Sequence, residues 1–126
     1  MKEFEKWFRK AENDLLAITN NLSANEVPAD VCCFHAQQAA EKYLKAYLVA
    51  HQIEFPKTHD LIEFMNLCTS RNNKFFELKP TCAKLKNYGI APRYPDDVNE
   101  LTIEDAKIAY NNSLSIKDFI LNYFFE

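Results

Sequence analysis

From its first residues the chain places Phe4, Trp7, Phe8, Ala11, Leu15, Ile18 and Leu22 at spacings of three and four. That rhythm predicts an amphipathic helix over about residues 2–22, because 3.6 residues per turn bring such positions onto one face. Asn20, Asn21, Ser23, Asn25 and Pro28 then mark a loop. The next periodic stretch, about 29–51, is the longest. Its apolar side holds Cys32, Ala36, Ala39, Ala40, Tyr43, Leu44, Tyr47 and Leu48, and its many alanines predict close helix–helix approach. Gln37 falls angularly between Leu44 and Leu48, either as a hydrogen-bonded buried amide or as part of a subunit contact. On the other side His35, Gln38, Lys42 and Lys45 fall within about 80° of one another, which predicts an outward polar face.

Phe55-Pro56 ends that region, since proline disfavours helix in the residue before it. A third, short helix is predicted to start near Thr58 to Asp60, with Asp60 and Glu63 in a capping-box pattern and Leu61, Ile62, Phe64, Met65 and Leu67 as its apolar residues. A fourth runs from about Lys74 to Tyr88 through Phe75, Phe76, Leu78, Cys82 and Leu85; Pro80 either kinks it or marks its first turn. Residues 89–101 contain two prolines and a glycine and predict irregular structure. The last helix begins after Thr102, which with Asp105 fits an N-cap pattern, and runs almost to Glu126. Apolar residues on more than one of its sides make it either central to the bundle or a subunit contact.

Composition narrows the choice. The chain has 126 residues, enough for one domain spanning 1–126 with one core, and it is 48% hydrophobic and 26% charged. Gly89 is its only glycine. Sheet proteins need glycines for hairpins and bulges, so the scarcity favours an all-α chain; it also excludes a P-loop and a dinucleotide fingerprint. A net charge of −3 gives no global basic field, so any polyanion site has to be local. No run of about 18 apolar residues exists to span a bilayer, and the charged N-terminus is unlike a signal peptide, so the chain reads as cytoplasmic, without a membrane partner. Cys32, Cys33, Cys68 and Cys82 form no C-x-x-C pair, which favours buried free thiols over a metal site.

Several segments together resemble the HEPN family of small helical bundles. They are the N-terminal helix with Trp7, Ala11 and Asp14-Leu15, and the helix running Phe34-His35-Ala36-Gln37-Gln38-Ala39-Ala40-Glu41-Lys42-Tyr43-Leu44-Lys45-Ala46. Lys57-Thr58-His59-Asp60-Leu61 follows, and then Arg93-Tyr94-Pro95-Asp96. The resemblance covers essentially the whole chain. It implies an up-and-down bundle of about five helices and a homodimer. Many members are metal-independent ribonucleases whose active site is an arginine followed, four to six residues on, by a histidine: acid–base chemistry on the 2′-hydroxyl, with a guanidinium on the phosphate. That motif is absent here, because the arginines are Arg9, Arg71 and Arg93, no histidine follows Arg71 or Arg93, and Arg9 is far from His35.

The Arg-Tyr-Pro-Asp subgroup implies instead a non-catalytic prokaryotic module that binds nucleotide or RNA phosphate and partners a minimal nucleotidyltransferase, in a toxin–antitoxin-like pairing. The residues this concerns are His35, Gln38, Lys42, Lys45, Lys57, His59, Arg93, Tyr94 and Asp96. Lysine and arginine supply charge-assisted donors, Tyr94 a stacking face, and a helix N-terminus near Thr58 backbone donors. No cofactor and no metal is implied. Two alternatives stand beside this reading: a metal-independent ribonuclease with an atypical site, and a structural interaction module. The bland roles are also specific. His35 is then a solvated or capping residue, Lys42 and Lys45 are solvent-exposed, His59 bonds backbone or carboxylate at a helix start, and Arg93 locks its own loop.

Overall fold

The computed structural model describes residues 1–88 and 100–126. Among them are five α-helices and no strand: α1 (Glu3–Leu22), α2 (Ala29–Ala50), α3 (Leu61–Arg71), α4 (Lys79–Leu85) and α5 (Ile103–Tyr123). They form an all-α, up-and-down bundle. The region expected to be one fourth helix is divided. A 3-10 segment, Asn73–Leu78, leads into α4, whose first turn contains Pro80, and a short 3-10 turn, Lys86–Tyr88, follows it. Proline has no N–H to lose in a first turn, so Pro80 starts the helix and does not kink it.

The helix ends follow local chemistry. The Asp60 carboxylate accepts from the Ile62 N–H at 3.0 Å, one residue short of the capping-box spacing. Thr102 and Asp105 make the full reciprocal box, at 3.1 and 2.8 Å. α2 stops well before Pro56. Gln52 takes a left-handed φ of 58°, the Ile53 N–H reaches the Leu48 carbonyl at 2.9 Å, and the Gln52 N–H reaches Val49 at 3.1 Å. These are the two bonds of a Schellman ending, built here without glycine.

α2 is the central element. Thirteen of its 22 residues are buried, against five of 21 in α5. It packs against α1 most extensively and also meets α3, α4 and α5. The central place that the sequence left open to α5 therefore belongs to α2: α5 buries Ala106, Ala109, Ser113, Ile116 and Ile120 but leaves Ile103, Ile108 and Leu121 exposed. Ala36, Ala39, Ala40 and Ala46 of α2 are all fully buried, which is how α1 and α5 reach its backbone closely. One apolar cluster runs from Ala11 of α1 to Phe124 just past α5. The four cysteines are buried free thiols within it. Burial holds the Cys68 thiol well above its usual range and pushes Cys82 up to about 12, so both stay protonated and unreactive.

Candidate functional site

Two buried carboxylates organise the polar residues of α2. Asp14, on α1, stands where the apolar stripe Ala11–Leu15–Ile18 passes, and it is buried with it. One of its oxygens receives Nδ1 of His35 at 2.8 Å and the other Nζ of Lys42 at 2.6 Å. Asp14 thus ties α1 to α2 at two points about two turns apart. A carboxylate only accepts hydrogen bonds, so Nδ1 of His35 carries the proton.

Glu41, on α2 itself, is only 2% exposed. It receives Nδ1 of His59 at 3.0 Å, Nζ of Lys45 at 2.9 Å and Nε2 of Gln37 at 3.4 Å. Gln37, fully buried, also donates to the His59 carbonyl at 3.1 Å and accepts from Nε2 of Gln38 at 2.7 Å. Gln37 is therefore a hydrogen-bonded buried amide, and it joins α2 to the segment entering α3. The Lys45 ammonium also lies 5.1 Å from the Trp7 ring centre, 5.2 Å from Phe64 and 5.7 Å from Phe55. A cation set between a carboxylate and three ring faces has little freedom to leave.

These contacts correct the outward-facing reading of α2. Lys42 and Lys45 are not solvated charges: their side chains are 21% and 13% exposed, and both are paired. His35 is a partner of Asp14 and not a cap. His59 bonds a carboxylate, that of Glu41, through Nδ1, while its side chain stays 69% exposed and its Nε2 has no hydrogen-bond partner among the described residues. The α3 N-terminus holds the chain's own Asp60 carboxylate, so it is not a vacant anion cradle.

Beside His59 is a cavity of about 280 Å³ lined by Lys45, Phe55, Pro56, Lys57, Thr58 and His59. It brings together three of the sequence-predicted residues, Lys45, Lys57 and His59. His35, Gln38 and Lys42 lie outside its lining, on the polar side of α2. Arg93, Tyr94 and Asp96 fall among residues 89–99 and so lie outside the described residues.

Elsewhere, polar groups are consumed by the fold. The Tyr43 hydroxyl donates to Glu12 at 2.7 Å, and Lys117 pairs with the same oxygen at 2.8 Å, linking α1, α2 and α5. Burial and the neighbouring Glu12 carboxylate raise the Tyr43 hydroxyl well above its usual range. Arg71 donates to the Tyr47 hydroxyl at 3.0 Å, and the His51 ring lies tilted against Tyr47 with ring centres 4.4 Å apart, so an arginine and a histidine share one tyrosine as partner. His51 spends Nε2 on the Phe124 carbonyl at 2.6 Å, which leaves this pair structural. Among the described residues no group of three His, Cys, Asp or Glu side chains could hold a metal ion, and no helix is long and apolar enough to cross a membrane.

Fold and site together define a small helical bundle whose buried central helix carries His35, Lys42 and Lys45 paired to buried carboxylates, with His59, from the segment before α3, on one of the same carboxylates. The chain belongs to the HEPN family: the model described as "HEPN domain" matches residues 4–123. It is 30% identical over 138 aligned positions to "Putative toxin MJ1304" of Methanocaldococcus jannaschii, covering 95% of this chain and 90% of that protein. The crystal structure of ST0689, an archaeal HEPN homologue, superposes with a TM-score of 0.75 at 26% identity, over 98% of this chain and 99% of that one. TT1696 from Thermus thermophilus shares the fold, with a TM-score of 0.78 at 24% identity over 97% and 98% of the two chains.

Asp14 and Glu41 are the residues that sequence reasoning missed. Both sit at helical spacing from buried positions, Asp14 four before Ile18 and Glu41 four after Gln37 and three before Leu44. A carboxylate on the apolar stripe is the signal that marks them, because burying a charge demands a partner.

Proposed function

We propose that this chain is the HEPN half of a toxin–antitoxin-like pair, that it binds nucleotide or RNA phosphate, and that its partner is a minimal nucleotidyltransferase. Family membership and the toxin name of the Methanocaldococcus relative support the coarse role. The observation that carries the binding site is the grouping of Lys57 and the carboxylate-anchored His59 around an open cavity. An ammonium and a protonated imidazole are charge-assisted donors to phosphate oxygens. Glu41 fixes which ring nitrogen faces inward, and so which one meets the ligand.

The test is binding of a short fluorescent RNA to the purified chain and to the His59→Ala and Arg93→Ala variants. The reading predicts RNA binding that weakens as salt rises and falls in both variants. RNA that binds nowhere, together with a partner recovered by co-purification, would leave a protein-interaction module in its place.

A second reading has its own support. Two histidines backed by carboxylates, His35 on Asp14 and His59 on Glu41, are the kind of groups that serve acid–base catalysis on a 2′-hydroxyl. Metal-independent RNA cleavage predicts cutting in the presence of a chelator that is lost in His59→Ala. RNA left intact by the unaltered protein sinks it.

A further inference from the structure

We propose that the exposed side of the segment formed by the 3-10 turn Asn73–Leu78 and α4 is a docking surface for an acidic amphipathic helix of a partner protein. It shares no residue with the lining of the His59 cavity and does not depend on phosphate binding there. Three observations carry it.

The first is the distribution of charge. Between Arg71 and Lys86 the chain carries five cations, Arg71, Lys74, Lys79, Lys84 and Lys86, against the single acid Glu77, a net of +4. The whole chain has 15 cations and 18 acids, so the remaining residues hold 10 against 17, a net of −7. The overall −3 therefore conceals a strongly polarised molecule. Lysines that serve the fold are neutralised closely: Lys42, Lys45 and Lys117 meet carboxylates at 2.6, 2.9 and 2.8 Å. Lys79, Lys84 and Lys86 are exposed and pair with no carboxylate among the described residues, and Lys74 has only a 3.6 Å contact with exposed Glu126.

The second is a stripe. Phe76, Lys79, Ala83 and Lys86 recur at spacings of three, four and three, and all four are exposed. Residues three apart eclipse in a 3-10 turn, and those three or four apart share a face of an α-helix, so the four fall on one side. The Lys79 ammonium lies 5.4 Å from the Phe76 ring centre, as that alignment requires. Behind them Phe75, Leu78, Cys82 and Leu85 are buried in the core, while the Phe76 ring is left 57% exposed. An aromatic ring and a methyl group alternate here with two ammonium groups. Such a seam suits a second helix whose apolar residues meet Phe76 and Ala83 and whose flanking carboxylates meet Lys79 and Lys86. The small Ala83 side chain lets that helix come close.

The third observation selects protein over nucleic acid. From Phe76 to Lys86 the stripe is about 16 Å long, three residues at roughly 2.0 Å and seven at roughly 1.5 Å. A longer polyanion would run onto the acidic remainder of the surface, and salt screens charges only beyond about 8 Å. A short acidic helix ends where the patch ends. Phe76 also offers one stacking platform, whereas single strands are held by bases stacked in succession.

Fluorescence anisotropy of a labelled peptide with the intact chain tests this. The probe has about three heptads, with one leucine in each and glutamate around it. Its comparisons are a copy with lysine for glutamate, a copy with serine for leucine, and a single-stranded oligoadenylate. The glutamate–leucine peptide is expected to bind, less tightly as salt rises, and the lysine copy is not. The Lys79→Glu/Lys86→Glu double variant should lower its affinity by about tenfold or more, and Phe76→Ser by about fivefold. Melting temperatures should stay unchanged, since all three side chains are exposed. Lys6→Glu/Lys107→Glu makes the same charge change at exposed sites elsewhere and should weaken the peptide by no more than about twofold. Excess AMP, a probe for the His59 cavity, should not displace the peptide, so this surface and the phosphate-binding reading stand or fall separately. Absence of peptide binding, an equal loss in the two double variants, displacement by AMP, or a serine copy as tight as the leucine one would overturn the proposal. So would oligoadenylate that binds more tightly than the peptide and loses that binding in Lys79→Glu/Lys86→Glu, which would assign the stripe to nucleic acid.

Discussion

The Asp14 and Glu41 clusters are built from the same parts and end in different roles. Each is a buried carboxylate holding one histidine and one lysine. At Asp14 all the partners are partly covered, His35 at 28% and Lys42 at 21% exposure, and the bonds run between two long helices. That cluster is a brace between α1 and α2. At Glu41 the lysine is sunk among rings while the histidine, on the segment before α3, stands 69% exposed next to a cavity. The difference teaches that burial of the anchor and exposure of the anchored group are separable. A deeply held carboxylate can orient a histidine whose second nitrogen still meets solvent.

Removing the anchors should break the comparison most sharply. Glu41→Ala strands the Lys45 ammonium among Trp7, Phe55 and Phe64, and stranding one member of a buried pair costs about 3–5 kcal/mol. Urea denaturation should register that loss. Asp14→Ala leaves Lys42 and His35 nearer to water, so about 1.5–3 kcal/mol is expected, the range for hydrogen bonds to a charged group. Equal losses at both positions would erase the distinction between them.

His59→Ala sharpens the contrast from the other side. His59 is largely exposed, so its removal should change stability by no more than about 0.5 kcal/mol. The same substitution should abolish most binding of short RNA or AMP. His35→Ala should do the reverse, costing about 1 kcal/mol of stability as the brace loses one bond and barely altering binding at the cavity. Thermal melts and titrations of the two variants, measured together, decide it. A His35→Ala variant that loses binding as fully as His59→Ala would make the two clusters one site.

Much of this was legible in the sequence and some was not, for identifiable reasons. Periodicity located α1, α2, α3 and α5 because their stripes are long or well capped, and the resemblance carried by the helix around Gln37 and by Lys57-Thr58-His59-Asp60-Leu61 gave the fold class. The segment around Pro80 was ambiguous because 3-10 and α turns share their apolar spacing over so few residues. The polar side of α2 misled for a deeper reason. Charge on a helix face ordinarily means solvent, and the exception depends on which carboxylates neighbouring elements supply. Asp14 is 28 residues from Lys42 in sequence, and Glu41 is 18 from His59, so only the Gln37–Glu41–Lys45 part of the second cluster, at i, i+4 spacing, is a local pattern. The cavity is less legible still, since Lys45, Phe55 and His59 meet only once the Schellman turn at Gln52 folds the chain back.

A smaller effect than at either anchor is expected at a third carboxylate, Glu12, which holds a lysine and a tyrosine in a more open setting. Its side chain is half exposed, and it receives Lys117 at 2.8 Å and Tyr43 at 2.7 Å. Partial burial opposes its ionisation, but the hydrogen bonds from Lys117 and Tyr43 outweigh this and hold its carboxyl below the ordinary value of 4.5. A carboxyl depressed in the folded state stabilises that state at pH above its unfolded value, and the gain is lost as pH falls through the folded value. The window therefore opens near pH 4.5 and extends downward. Because the pair is solvated and screened, the contribution should be no more than about 1 kcal/mol at neutral pH. Glu12→Gln should cost about that amount at pH 7 and converge with the unaltered chain in acid, as urea midpoints measured across the acid limb would record. A Glu12→Gln loss that persists undiminished below the window would show that the α1–α2–α5 junction depends on the shape of the side chain and not on its charge.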